Sequence, residues 1–280
     1  MSHQGKIENN RMLFNNLGRL NPSAECRVFS KTPKTFYKLN CIEIEYRKQH
    51  KTAVSAGLAS AKHDIADIEA NLERVKNQIT NSAVYRDLFK AVAIPFCFSL
   101  SNNGTDLGTD LENHWLPLLK TEFEKQNSGA NFKASFQGNQ TLSKNVKPFK
   151  GSGYANLLEQ ISHSTIVGYY FPTAFQEFDV DSQRRRTRDL PKLEVVDLCL
   201  SGPCEIVYSL ICYPNLLFDK QNYSPILCAS SIEHNDPRLI MLFKSYGPHL
   251  EFWLMSQMLT PDKTQVSEQW SGGITIYKCL

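Results

Sequence analysis

From Val54 to Ile79 the apolar residues Val54, Leu58, Ala61, Ile65, Ile68, Leu72, Val75 and Ile79 follow one another at alternating steps of four and three. A 3.5-residue period sustained this long is the mark of an α-helix with a single apolar stripe, and the spacing predicts one helix over about 52–82. Lys62, Asp64, Asp67, Glu69, Glu73, Arg74 and Lys76 give the other face to water. Such a helix is not stable by itself, so something must cover its stripe.

The cover can come from another chain, as a coiled coil in a homo-oligomer or with a protein partner, or from the same chain. Leu and Ile alternate at one seam position while Val, Ala, Ile and Val fill the other, a mixture that fixes no oligomer number. Asp64 and Glu69 would face each other in a parallel dimer. An internal partner is at hand, because Thr109 and Glu112 stand at capping-box spacing ahead of Leu111, Trp115, Leu118, Leu119 and Phe123. Pro117 is expected to kink or end that second helix.

The remaining pattern assigns the chain to the α+β class. Ile42, Ile44 and Tyr46 alternate with charged residues and, with Cys26 to Phe29, predict a small hairpin before the long helix. Residues 126–153 are rich in Asn, Gln, Ser, Gly and Lys and hold no acidic residue, as a linker or long loop would. Ile94 to Leu100 is read as a strand or buried extended run in the first unit; beyond the linker a short helix is expected from Tyr154, and strands at Ile166 to Phe171, Leu193 to Leu200, Glu205 to Tyr213, Ile226 to Ser230 and Ile274 to Tyr277. Asp236-Pro237 with Gly247 marks the two ends of a helix, and Pro248 to Leu259 is read as another, with a strand at Leu250 to Leu254 as the alternative.

Charge supports the division. Residues 1–150 carry 21 basic against 14 acidic side chains, +7, and residues 151–280 carry 10 against 14, −4. The expected organisation is a basic N-terminal unit over 1–125 with a hairpin and long amphipathic helices, a linker over 126–153, and an acidic mixed α+β unit over 154–280.

Eight cysteines are scattered without any Cys-x-x-Cys, which argues against a disulfide scaffold or a zinc ribbon and suits a reducing, cytoplasmic compartment. No stretch has the roughly 18 consecutive apolar residues of a membrane span. No cofactor fingerprint stands out, and no cofactor or metal is expected.

Four further groups carry candidate chemistry. Phe132, Phe136 and Phe149 interleaved with Lys133, Lys144, Lys147 and Lys150 are residue types that stack on bases and neutralise phosphates, which allows a weak single-stranded nucleic-acid contact. Arg184, Arg185 and Arg186 form a dense cationic cluster that suits an acidic partner or neighbouring carboxylates. Gly151-Ser152-Gly153 ahead of a helix could present amides to a phosphate, but lacks the Walker ending. Cys204 follows the Ser201-Gly202-Pro203 turn as the most exposed-looking thiol, with His163, His234 and His249 as bases in the same unit, the minimum set for a hydrolase or transferase.

Weighed together, these features favour a non-catalytic interaction or assembly protein. Its interaction residues are Val54, Leu58, Ile65, Ile68, Leu72, Val75 and Ile79 on the helix and Arg184, Arg185 and Arg186 on the second unit.

Overall fold

The computed structural model describes residues 13–32, 36–40, 42–99, 106–218, 223–257, 259–260, 263–264 and 266–280. Its helices are α1 (Tyr46–Ser55), α2 (Ile65–Asn81), α3 (Leu107–Asp110), α4 (Leu116–Gln126), α5 (Tyr154–His163), α6 (Val180–Arg188) and α7 (Pro203–Cys212). The strands are β1 (Ile94–Phe98), β2 (Asn131–Phe136), β3 (Val146–Pro148), β4 (Ile166–Gln176), β5 (Asp197–Leu200), β6 (Ile226–Cys228), β7 (Ile232–His234), β8 (Leu239–Tyr246), β9 (His249–Ser256), β10 (Leu259–Thr260), β11 (Lys263–Thr264) and β12 (Trp270–Cys279). The chain is α+β, organised on one mixed sheet in the order β1-β4-β12-β6-β8-β9-β2.

β12 is the hub of that sheet. One edge runs antiparallel to β4 from Ser271↔Gln176 to Cys279↔Ile166. The other edge is divided: Trp270–Gly272 pair in parallel with β6, and Ile274–Tyr277 pair antiparallel with β5. The change of neighbour falls at Gly273, where the register to β4 also slips. A side chain there would meet the Tyr170 ring at 2.2 Å and Ser201 Oγ at 3.0 Å, so the crossing needs glycine.

The two faces of the sheet are both covered. Val167 and Phe171 of β4, with Ile274 and Ile276 of β12, pack under α2, whereas Ile166, Tyr170 and Tyr277 face the core that contains α5 and α7. α7 is buried at every position from Pro203 to Ile211. Burial on both sides explains why β4 reads as an almost continuous apolar run.

The long helix expected over 52–82 is two helices. Gly57 takes φ +74° just past the end of α1, with Leu58 N donating to Ala53 O at 2.8 Å, a left-handed helix stop. Asp64 then caps α2 by accepting from Ala66 N at 3.0 Å. The stripe survives this break: Leu58, Ile68, Leu72, Val75 and Ile79 are buried in the chain's own core, Ile65 and Val54 are half-buried, and Ala61 is exposed. Ile68 and Leu72 pack on Cys97 and Val167; Val75 and Ile79 pack with Phe14, Tyr85 and Phe171.

Other differences share one cause, a partner distant in sequence. Residues 126–153 are not a free linker, because β2 pairs in parallel with β9 and β3 pairs with β7. The main core mixes residues from both sides of that segment. Among the described residues of 25–48 no hairpin is formed: Val28 bridges to Phe178 and Tyr37 to Tyr223, and Tyr46 already begins α1. Glu205 to Tyr213, expected as strand, lies in α7 apart from Tyr213, which follows it as the C-cap.

The two helices expected over 236–259 are the hairpin β8–β9, turned at Gly247 with φ +55°. Asp236 is not a helix cap; its carboxylate holds Arg238 through the backbone N and the guanidinium. The Thr109–Glu112 box is also replaced. Asp106 caps α3, and Glu112 Oε2 accepts from Thr141 Oγ1 at 2.6 Å, Leu142 N at 2.9 Å and Ser143 N at 3.0 Å. A π turn over Leu111–Trp115 precedes Pro117 and joins α3 to α4.

Candidate functional site

The catalytic constellation expected in residues 154–280 does not assemble. Cys204 is not an exposed thiol but is buried at the start of α7, where its backbone N donates to Tyr154 OH at 3.0 Å. Burial, then the neighbouring Glu205, pushes its thiol well above the ordinary range. None of the three histidines hydrogen-bonds to it. His234 is buried with Nδ1 accepting from Asp236 N at 2.9 Å and Nε2 facing Thr141 O at 3.1 Å, His249 pairs with Asn131, and His163 ends α5 at the surface.

What surrounds Cys204 instead is a closed polar knot between α5, α7 and the sheet. Glu205, at the third position of α7, turns its carboxylate back to accept from Gly202 N at 3.2 Å, 3.9 Å from Cys199 Sγ. Ser201 and Thr275 share a hydroxyl hydrogen bond of 2.7 Å. Burial raises the Glu205 carboxyl from 4.5 to about 7. A Cβ on Gly202 would lie 2.3 Å from Ser231 Oγ and 2.4 Å from the Tyr154 ring, so the knot leaves no room for a substrate.

The nucleic-acid segment is likewise committed. Phe132 is in the core, Phe136 packs on Phe252 with ring centroids 6.0 Å apart, and Phe149 is covered by the Arg184 guanidinium at 4.4 Å and Arg188 at 5.1 Å. Lys147 pairs with Glu233 at 3.6 Å. Gly153 takes φ +77° as the N-cap of α5, and a Cβ there would meet Leu198 O at 2.7 Å. These glycines serve close packing, and Arg188 lies over Gly151.

The arginine cluster divides by role. Arg184 donates to Ser230 O at 2.9 Å and Ile232 O at 2.6 Å, Arg186 lies 3.7 Å from Asp189, and Arg185 is exposed. Asp179 caps α6 through Ser182 N, and Glu177 pairs with Arg19 at 3.2 Å.

An open site does exist where α1, α2, β1 and β4 converge. Tyr46 at the start of α1, Leu72 on α2, Phe89 before β1 and Tyr169 on β4 enclose a groove of about 380 Å³, extended by Ala93, Pro95 and Ile44. The Phe89 ring stands edge-on to Tyr169 at 5.0 Å and to Phe171 at 5.2 Å, which fixes the floor. Ile44 is 41% exposed at the margin. The Tyr46 ring stacks on His50 at 6.0 Å, and burial raises its phenol far above the usual range. Burial and then Glu73 push the Tyr169 phenol up to about 12, so both rings present neutral faces.

Paired charges edge this apolar floor. Arg47 grips Glu69 with two hydrogen bonds of 2.9 Å, which lower the Glu69 carboxyl, and Lys76 lies 3.5 Å from Glu73. Of the stripe residues assigned to interaction from sequence, Leu72 is the one that lines the groove. Sequence reasoning did not single out Tyr46, Phe89 and Tyr169 as site residues, because they come from three separate elements. Among the described residues no group of three or more His, Cys, Asp and Glu could hold a metal ion, and no helix is long and apolar enough to cross a membrane.

Comparison of the chain with protein-family models, with curated proteins and with solved structures gives no match.

Proposed function

We propose that this protein is a non-catalytic interaction module whose groove between α1, α2 and β4 receives an apolar side chain from a protein partner. The observation that carries this reading is the arrangement of the groove itself. An aromatic and aliphatic floor edged along α2 by paired charges is the kind of apolar centre with a polar margin that binding hot spots use. Ile44 extends the apolar surface outward from the groove, which favours a polypeptide segment over a small enclosed ligand. The described cysteines are free thiols, which suits a reducing, cytoplasmic setting.

A photo-crosslinking residue at position 44, used in the native cell, tests the reading when followed by binding measurements with the purified crosslinked partner. Ile44→Asp is expected to weaken that binding at least about tenfold, because it places a charge on a contact that must be desolvated. Tyr246→Asp, on the β8–β9 turn, is expected to leave it unchanged. Equal affinity of wild type and Ile44→Asp for every crosslinked partner, or crosslinking to no polypeptide at all, refutes it.

A further inference from the structure

A second depression lies at the end of the sheet where β1 stops and β4 starts. The register Phe98↔Ile166 places Ser99 beside Thr165. Ser99 N donates to Leu58 O at 3.1 Å, which draws the loop between α1 and α2 over this end of the sheet. His63 on that loop meets Thr165 Oγ1 through Nε2 at 2.8 Å. α5 terminates at the same place, with Ser164 N closing on Gln160 O at 2.8 Å, and so brings His163 to the rim.

The result is a hollow of about 250 Å³ whose character is opposite to that of the groove. Its wall carries Lys62, His63 and His163 together with five hydroxyl groups, and it contains no carboxylate. Among the described residues none forms an ion pair with Lys62, His63 or His163. Three nitrogen donors with hydroxyls between them, contributed by three elements, offer hydrogen bonds converging from several directions. That is the requirement of a tetrahedral oxyanion, which has acceptors on every side and gains a charge-assisted bond from the Lys62 ammonium. The volume equals that of about eight waters at ~30 Å³ each, enough for a phosphate group and the first atoms of an attached ester.

We propose that this hollow, formed by Lys62, His63, His163 and the hydroxyls of Ser99 and Thr165, is a binding site for a phosphate group. The ligand is either free inorganic phosphate or a phosphomonoester, and the two share the same contacts. The site is independent of the groove, from which it shares no lining residue.

The test is calorimetric titration of the full chain with inorganic phosphate and, separately, with phenyl phosphate, at constant ionic strength in chloride. Saturable binding is expected, with competition by sulfate. Lys62 and His163 are exposed, so Lys62→Met and His163→Gln should unfold at the wild-type temperature, and each should weaken binding about tenfold, the loss of one hydrogen-bonded contact. Lys147→Met, which removes a lysine outside the hollow, should leave affinity unchanged. Tighter binding of phenyl phosphate identifies an ester as the ligand, and equal or weaker binding identifies free phosphate. Absence of saturable binding by both probes overturns the proposal. So does binding that survives both substitutions, or falls equally with Lys147→Met. Histidine ring signals of the wild-type protein provide a check that needs no variant: phosphate must shift those of His63 and His163, and unmoved signals overturn the assignment.

Discussion

Replacing Glu205 by Gln should make the protein more stable at pH 8 and remove part of its dependence on pH. Glu205 is fully buried at the start of α7, and burial lifts its carboxyl from 4.5 to about 7. The folded state therefore holds this proton more tightly than the unfolded chain does. Its contribution to stability is complete below about pH 4.5, declines as pH rises towards 7, and above 7 the folded protein carries the full cost of a buried carboxylate. The interval from 4.5 to about 7 corresponds to about 3 kcal/mol at ~1.4 kcal/mol per decade. Gln keeps the shape and the acceptor for Gly202 N but cannot ionise. Urea denaturation of wild type and Glu205→Gln at pH 5 and pH 8 isolates this one group, because the carboxylates stabilised by hydrogen bonds, such as Glu112 and Asp236, titrate alike in both proteins. The variant's advantage should grow by about 2–3 kcal/mol between the two pH values, or roughly 6 °C in Tm for a chain of this size. Parallel pH curves for the two proteins would refute the reasoning: Glu205 would then not be ionising in a dry site.

Three further outcomes follow from the packing. Arg19→Met should cost about 3–5 kcal/mol in denaturant unfolding, since it removes the cation 3.2 Å from the Glu177 carboxylate at a site where both partners are 2% exposed, and the double variant with Glu177→Gln should recover much of that loss. Gly168→Ala should destabilise by about 3 kcal/mol or prevent folding, because the added Cβ would meet Ile276 O at 2.2 Å across the β4–β12 ladder; a melting temperature equal to wild type would show that the strands are not so close. Under native conditions a thiol reagent should modify exposed Cys279 and leave Cys204 and Cys199 untouched, as read by mass spectrometry of the peptides, whereas rapid modification of Cys204 would reopen a thiol-based chemistry.

The elements that were legible in the sequence are those with one wet face or a clear edge. α2 declares itself by its stripe and α5 by Leu157 and Ile161 against polar neighbours. Where both faces are dry, periodicity vanishes: α7 reads as strand because Ile206, Val207, Leu210 and Ile211 are all buried, and β8 reads as helix because Met241 and Phe243 face one core while Ile240 and Leu242 face another. β2 reads as linker because Lys133 points to water and its partner β9 lies far along the chain. The groove was legible only at Leu72. Its other walls meet through tertiary folding, and no local spacing links Tyr46 to Tyr169.

The divided edge of β12 also sets an order in time. On the ribosome, residues 270–279 are made after all the strands they join, so β4 and β1 on one side and β6, β8, β9 and β2 on the other must wait without their shared seam. Through that interval β4 presents an open edge of apolar sequence to any extended chain nearby. Insertion of a single strand then closes three ladders at once, which makes completion of the sheet one late, cooperative event.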